Sequence, residues 1–380
     1  MKIIYCTNST FNSGGMEKIL MYKANYLADV LGYEVCVVTT EQQEKTNFFK
    51  FSDKIRFIDL GINYDADKDK NILLRLLLKR LKQRHHRKLM TELLKRESPD
   101  ICISMFCREM DFLAKIKDGS RKVLEFHFSK NMKLIEAKNK LMYYAQKLRI
   151  WSWRWTIRKY DAFVVLTEED KQAWGEWKNI RVIPNLLTEY PEQKATLTAK
   201  RVISVGRISY QKGFDYLVDV WKIVHESYPD WVLSIFGNGE KGERLQLENR
   251  IREYGLDKTI SLNRAVSNIG DEYLKSSIYA MTSRYEGLPM VLLEVMSYGL
   301  PIVSFACPCG PKDVVDEAYG NLVPVGDVDG FARKIMEWMD DVEKRKLAGV
   351  EAREAAKKYM QQEIMQIWCD LFQHLVTKKH

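Results

Sequence analysis

The sequence predicts an α/β protein made of two doubly wound domains, and three observations carry that reading. Short apolar runs alternate with stretches of helical spacing from the first residues to residue 185, which is the pattern of a parallel sheet covered on both faces. Residues 186–200 are then polar and aperiodic, with Pro191 and three threonines, the composition of a linker. From Arg201 the alternation restarts and continues to residue 360, before a last amphipathic stretch over 361–380.

Composition supports the two-domain reading. A chain of 380 residues with 46% hydrophobic residues can fill two cores. The first residues, Met1-Lys2-Ile3-Ile4-Tyr5-Cys6, lack the apolar centre of a signal peptide, and there is no run of eighteen apolar residues, so an intracellular, cytoplasmic protein is expected. The 7 cysteines are an odd number, several within apolar runs, and read as reduced core residues. Cys307 and Cys309 lack the spacing of a zinc knuckle, and no metal site is expected. Net charge is +9 and unevenly spread: residues 1–185 carry 35 Lys and Arg against 23 Asp and Glu, the remainder 25 against 28. An anionic partner for the first half follows, a membrane surface or nucleic acid.

In the first half, Lys2 to Thr7 reads as a strand, Asn12 to Glu17 as a loop holding Gly14 and Gly15, and Met16 to Leu31 as a helix. Adjacent glycines before a helix let a ligand approach the backbone where anions are favoured, although plain turn punctuation reads the same way. Strands follow at Glu34 to Thr40, Lys54 to Asp59 and Asp100 to Met105. Asp65 and Asp67 resemble a metal-binding pair but sit in a charged loop and are expected to be solvated. Between Asn71 and Arg96 stand nine Lys and Arg with Glu92 as the one acid, interleaved with Leu73, Leu74, Leu76, Leu77, Leu78 and Leu81. A second basic stretch, Lys133 to Lys159, contains Trp151, Trp153 and Trp155. Both suit a helix resting on anionic lipid, or else a core face backed by solvated cations; no nucleic-acid module is visible, so nucleic acid is not expected as a partner. The strand Lys122 to Ser129 ends near His127, at the sheet end where ligands bind. Ala162 to Thr167 and Arg181 to Asn185 complete the half.

In the second half, the strand Arg201 to Gly206 leads through Arg207, Lys212 and Gly213 into a helix. Two cations five residues apart at a strand end can grip a diphosphate, and can equally be surface charges in a turn. Strands at Trp231 to Phe236 and Ile260 to Asn263, helices at Glu243 to Tyr254 and Ile269 to Lys275, and the strand Ile278 to Ser283 follow. Glu286-Gly287-Leu288-Pro289 then opens a helix expected to start at Gly287 or Leu288 and to stop at Gly299. Glu286 and Glu294 are roughly 80° apart on a helical wheel, so both can face one ligand; free N–H groups there attract an anion while carboxylates accept from sugar hydroxyls. The bland reading makes Glu286 a solvated loop acid and Glu294 a paired helix acid. Pro301 to Phe305 is a strand, Cys309-Gly310-Pro311 a turn into a helix, and Asn321 to Val325 an edge strand; three helices finish the chain, the last at Gln361 to Val376.

Taken together these residues resemble the retaining glycosyltransferases of family 4. The resemblance is carried by Gly206-Arg207 with Lys212-Gly213, by Gly237-Asn238-Gly239, and by Glu286-Gly287-Leu288-Pro289 with Glu294; Gly14-Gly15, His127 and Pro184-Asn185 match more loosely. It implies the GT-B fold: two Rossmann-like domains facing across a cleft, the final helix crossing back to the first. It implies that Arg207 and Lys212 bind the donor diphosphate, Glu294 the ribose and Glu286 the donor sugar. Gly287 and Leu288 would touch sugar or phosphate, Gly14 and Gly15 would close on them, and Arg264-Ala265-Val266 would hold the base by backbone contacts. His127, Arg207, Lys212 and Glu286 form the implied catalytic set, with no metal or other cofactor required. Asn263 stands where family members often have glycine. The donor implied is a UDP-sugar, with galactose, glucose and their N-acetylamino forms all open. The acceptor is expected to be a lipid-linked saccharide of a cell-surface polysaccharide or glycan, reached by a peripheral enzyme at the inner membrane face. A nucleotide-sugar epimerase of the same architecture and a non-catalytic basic adaptor are the rival readings.

Overall fold

The computed structural model describes residues 1–67 and 69–377. It divides into two compact units: one of Met1–Leu166, Lys171–Pro184 and the chain from Ile364, the other of Thr167–Asp170 and Asn185–Glu363. Of the stretches singled out above, Lys68 in the 65–70 loop and residues 378–380 lie outside the described residues.

The first unit holds a seven-stranded sheet in the order β3-β2-β1-β4-β5-β6-β7. Its strands are β1 (Lys2–Cys6), β2 (Glu34–Thr39), β3 (Arg56–Asp59), β4 (Ile101–Ser104), β5 (Arg121–Glu125), β6 (Ala162–Val165) and β7 (Ile180–Val182), all paired in parallel. The central strands bury every side chain but the first or so, which is why they read as continuous apolar runs rather than alternating ones. The helices are α1 (Gly15–Asn25), α2 (Ile72–Glu97), α3 (Met132–Ile135), α4 (Lys140–Ile157) and α5 (Glu168–Trp174), whose first residues belong to the second unit. Asn71 and Asn139 cap α2 and α4, their side chains accepting from the Leu74 and Met142 N–H at 2.9 and 2.8 Å. Only the C-terminal part of α2 enters the core, through Met90, Leu93 and Leu94. Leu73, Leu74, Leu76, Leu77 and Leu81 are exposed, as are Trp151 and Trp155 of α4, whereas Trp153 packs on Phe106. The core reading of those leucines is therefore wrong for the first half of α2. Asp67 departs from expectation in the opposite sense: it is buried and paired with Lys70 and Lys82 at 2.9 and 2.5 Å.

The second unit has six parallel strands in the order β10-β9-β8-β11-β12-β13. They are β8 (Arg201–Val205), β9 (Val232–Phe236), β10 (Ile260–Asn263), β11 (Ile278–Met281), β12 (Ile302–Phe305) and β13 (Gly320–Val323), the last at the sheet edge as its polar sequence suggests. Helices α6 (Phe214–Ser227), α7 (Lys241–Glu253), α8 (Gly270–Leu274), α9 (Met290–Ser297), α10 (Pro311–Val314), α11 (Val328–Asp340) and α12 (Val342–Ala356) connect them; α13 (Gln361–Thr377) ends the chain and from Ile364 belongs to the first unit. Residues 186–200 lie within the second unit, with Leu186, Leu187, Ala195 and Leu197 buried. The Leu187 N–H donates to Tyr359 O and the Ala195 N–H to Tyr298 O. Among the described residues no helix is long and apolar enough to cross a membrane.

Helix α9 starts at Met290, two or three residues later than the sequence suggests, with Pro289 extended ahead of it. Proline disfavours a helical residue before it, and the 286–289 loop is fixed from outside. The Glu286 N–H donates to Pro308 O, and a Cβ on Gly310 would stand 2.4 Å from Pro289 Cδ. Two motif glycines are also matters of close packing. Gly213 has φ +63 and lies so near β11 that a Cβ would meet Thr282 O at 2.1 Å, while a Cβ on Gly237 would meet Gly206 O at 1.8 Å. Gly237→Ala must therefore push the β8 and β9 loops apart. A loss of about 1–3 kcal/mol in urea unfolding is expected, with unchanged stability the contrary result.

Candidate functional site

In the second unit the strand order reverses between β8 and β11, whose parallel register pairs Val202 with Ile278. Ligands of open parallel sheets bind beyond the carboxyl ends at such a reversal, and both charged motifs emerge there. The turn after β8 carries Arg207 and the 3-10 turn Tyr210–Lys212, and the loop after β11 carries Arg284 to Pro289. The two loops are joined by an ion pair: Lys212 Nζ donates to Glu286 Oε1 at 2.7 Å. Gln211 Nε2 donates to Tyr285 O at 3.1 Å and to Glu286 Oε2 at 3.4 Å. Glu286 is buried, so it is not the solvated acid of the bland reading.

A second pair holds this arrangement. Arg284 forks onto Asp215 of α6 with N···O distances of 2.9 and 2.6 Å, donates to Tyr210 O at 2.7 Å, and lies over the Tyr210 and Tyr216 rings. The Arg284 N–H also donates to Gln211 O. Burial and the Arg284 guanidinium act oppositely on Asp215, and the guanidinium wins, holding the carboxyl below its ordinary value. Sequence reasoning missed Gln211, Asp215 and Arg284 as supports. The Arg284–Asp215 spacing of 69 residues leaves no local signal, although an arginine between a buried strand and a motif loop is a visible one.

Arg207 is exposed, and its guanidinium has no hydrogen-bond or ion-pair partner among the described residues. Glu294 lies on α9, half-buried, and accepts from the Tyr273 hydroxyl at 3.4 Å. The phenol is fully buried, which together with Glu294 pushes its pKa well up. Gly287 and Leu288 lie in a bend before α9, not on it, so Glu286 and Glu294 stand on a loop and a helix rather than on one helical face. Arg264, Ala265 and Val266 form an exposed loop after β10, pinned where Asn238 Oδ1 accepts from the Ala265 N–H at 3.2 Å. Among the described residues no group of three His, Cys, Asp or Glu could hold a metal.

In the first unit Gly14 is the N-cap of α1 and Gly15 its first residue. The Glu17 carboxylate folds back so far that a Cβ on Gly14 would meet Glu17 Oε2 at 2.2 Å. An acid thus occupies the helix start that the sequence offers to a ligand anion. Burial raises the Glu17 pKa against the pull of its hydrogen bonds and of His127. His127, two residues past β5, places Nε2 3.1 Å from Glu125 Oε1, within attraction range but without an in-line hydrogen bond. Glu125 is committed elsewhere: both its oxygens accept from Lys23 Nζ, at 2.6 and 2.7 Å, in full burial. The indole of Trp368 on α13 caps that ammonium at 3.6 Å. Neither Lys23 nor Glu125 has a sequence signal beyond being charged residues in apolar company.

This motif geometry can be set against known proteins. Residues 13–187 match the family described as Glycosyltransferase Family 4 and residues 188–355 the family described as Glycosyl transferases group 1. An uncharacterized glycosyltransferase of Haemophilus influenzae is 31% identical over 315 residues, 80% of each chain. The chain belongs to glycosyltransferase family 4. The amylovoran biosynthesis glycosyltransferase AmsD of Erwinia amylovora is 33% identical over 55% of this chain and 61% of its own. The fold matches that of S. aureus TarM, solved with UDP and α-GlcNAc-glycerol, with a TM-score of 0.76 at 16% identity over 98% of this chain and 99% of TarM. The two parallel-sheet α/β units are thus those of a GT-B glycosyltransferase.

The buried Lys23–Glu125 pair yields a test. Glu125→Gln leaves the Lys23 ammonium buried without its counter-charge and should cost about 3–5 kcal/mol, whereas the double change with Lys23→Met should recover much of it. Burial alone would raise the Glu125 pKa, but Lys23 and His127 outweigh it and lower it from 4.5 to about 2. Glu125's contribution is therefore complete above pH 4.5 and lost as pH falls toward 2, while on the partner burial outweighs the pull of Glu125 and lowers the Lys23 pKa. Urea unfolding across that range should show a steeper fall for the unmodified protein than for Glu125→Gln; parallel curves would place the pair outside the stability balance.

Proposed function

We propose that this glycosyltransferase moves a hexose or N-acetylhexosamine from a UDP-sugar to a saccharide acceptor, with retention of anomeric configuration and without a metal, in bacterial polysaccharide or glycan assembly. The observation that carries the donor side is the Lys212–Glu286 pair beside the unpartnered Arg207, at the strand-order reversal of the second unit. Lys212 exchanges the Glu286 carboxylate for a donor phosphate, and Arg207 takes the other. Freed of its counter-ion, Glu286 accepts from the hydroxyls of the transferred sugar, and Glu294 from the ribose. As the glycosidic bond to phosphate breaks, negative charge grows on the diphosphate while the sugar becomes positive. Fixed cations and the α9 N–H groups stabilise that charge separation. Same-face attack, with the leaving phosphate taking the acceptor's proton, retains configuration without a covalent intermediate and leaves Glu286 to hold the sugar's hydroxyls. His127 stays in the catalytic set of this reading, and Gly14 and Gly15 stay with the donor-binding residues. The UDP of TarM and the polysaccharide role of AmsD support nucleotide and pathway by relationship alone.

The exposed leucines of α2 and tryptophans of α4, set among cations, support a peripheral enzyme that meets its acceptor at an anionic membrane surface. Sedimentation with phosphatidylglycerol vesicles at low salt, released by added salt, is expected. Indifference to such vesicles removes the membrane from the reading.

The donor test is calorimetric titration of UDP, followed by the UDP forms of glucose, galactose and their N-acetylamino derivatives. Lys212→Ala and Arg207→Ala should each weaken UDP by about tenfold or more, the loss of a charge-assisted hydrogen bond. Glu286→Ala should spare UDP and weaken the UDP-sugar's advantage over it. Unaltered UDP affinity in both cation variants would overturn the donor assignment. Turnover of a UDP-sugar to its epimer without acceptor would favour the epimerase.

A further inference from the structure

The first unit contains a cavity of about 290 Å³ that neither the donor motifs nor the family relationship assigns. It lies beyond the carboxyl ends of three adjacent strands, taking Asn8 after β1, Phe106 and Cys107 after β4, and Phe126 and Phe128 after β5; His127 between the last two is not part of the lining. This includes the β1/β4 position, where the strand order of this sheet reverses. One wall comes from α2 through Lys79 and Gln83, the opposite one from α4 through Arg149 and Trp153.

The lining has two characters. One is aromatic: Phe106 packs on Phe126 with centroids 4.4 Å apart and on Trp153 at 5.1 Å, and Phe126 packs on Phe128 at 6.1 Å. The other is cationic: Lys79, Arg108, Lys130, Lys133 and Arg149 face in, against Asp111 as the one carboxylate in the lining. Lys130 is held by Ala173 O and Lys133 by Glu136 at 3.4 Å. Lys79, Arg108 and Arg149 have no carboxylate within ion-pair distance among the described residues; Arg108 stacks on Tyr64 and Arg149 on Trp153. Asp111 already accepts from Gln83 Nε2 at 3.2 Å. Burial and then the repulsion of Arg108 and Arg149 lower the Lys79 pKa, and the pull of Asp111 does not offset them.

Size and setting narrow the occupant. A cavity this small is at the low end of small-molecule sites, about 300–1,000 Å³, and holds a headgroup rather than a whole amphiphile. Outside it, the same two helices continue into exposed apolar residues: Leu73, Leu76 and Leu77 on α2, and Leu148, Trp151 and Trp155 on α4. An anion seated between the helices and an apolar chain lying along them would satisfy both features. We propose that this cavity seats the phosphate of an amphiphilic acceptor, one whose phosphate is joined to a long apolar chain. The assignment rests on the transferase reading and names the acceptor class for it.

The probes are farnesyl phosphate, farnesol and inorganic phosphate, titrated calorimetrically into the full chain. Two variants are compared: Lys79→Gln with Arg149→Gln, both exposed cations of the cavity rim, and Lys88→Gln with Lys95→Gln, which remove equal charge from the far half of α2. Farnesyl phosphate should bind more tightly than either fragment, and the cavity variant should weaken it by about tenfold or more while the distant variant leaves it unchanged. Equal weakening in both variants would reduce the effect to net charge and overturn the site. Inorganic phosphate binding as well as farnesyl phosphate would make the ligand a soluble phosphorylated saccharide and overturn the amphiphile; farnesol binding as well would overturn the phosphate. UDP titrated into the same samples separates the two readings. Retained UDP binding with no farnesyl phosphate binding sinks the cavity assignment alone, and loss of UDP binding from the unmodified protein sinks the donor reading while the cavity result stands.

Discussion

The ion pair between Lys212 and Glu286 ties together the two loops that leave β8 and β11, and the surrounding part of the second unit keeps it in place. A partly buried lysine and a buried glutamate hold each other only where the backbone of both loops is fixed. That fixing comes from the Arg284–Asp215 fork, from Gln211 bonded to the far side of Glu286, and from glycines packed against neighbouring carbonyls. The pair also has a chemical consequence. Without ligand the Lys212 ammonium and the Glu286 carboxylate satisfy each other; in the reaction proposed above a donor diphosphate takes the carboxylate's place on the cation, so one charge-assisted contact replaces another and the cation is already oriented when negative charge develops.

The first unit uses the same fold with a different charge pattern. Its centre is the Lys23–Glu125 pair, sealed by Trp368, and its ligand-side surface is cationic. The sealed pair anchors the end of β5 from which His127 projects, so a long-range packing contact from the last helix of the chain fixes the base of a loop more than two hundred residues earlier in sequence. The Glu17 carboxylate over Gly14 shows why the Gly-Gly turn could not be interpreted from sequence alone: the glycine admits the chain's own acid as readily as a foreign anion.

The fold and the site differed in how far they could be read in the sequence. Buried parallel strands leave continuous apolar runs whatever their partners, so β1, β4, β8 and β11 are evident from residue type alone. The start of α9 is not, because Pro289 is tolerated both in a first helical turn and just ahead of one, and the decision belongs to Gly310 and Pro308 packed against it. The leucines of α2 show the same limit: helical spacing is equal for a helix that enters a core along its length and for one that enters only by its last turns. The burial of Asp67 could not be read locally because Lys82 reaches it only when α2 folds over the loop, whereas Lys70 stands three residues away.

By itself, the sequence determined the class of fold and the strand and helix order, because each depends on local spacing or on residue type; Arg207, Lys212, Glu286 and Glu294 stood out only through the family resemblance, since spacing alone left each of them a plain surface or paired charge. Tertiary structure decided which charges are partnered. It paired Lys212 with Glu286 and left Arg207 open, buried Lys23 against Glu125, and gathered Lys79, Arg108 and Arg149 around an aromatic pocket with Asp111 as its one carboxylate. The physical reason is that charge interactions fall off with distance in space and take no account of distance along the chain, so their partners are set only once the sheets have brought strand ends together.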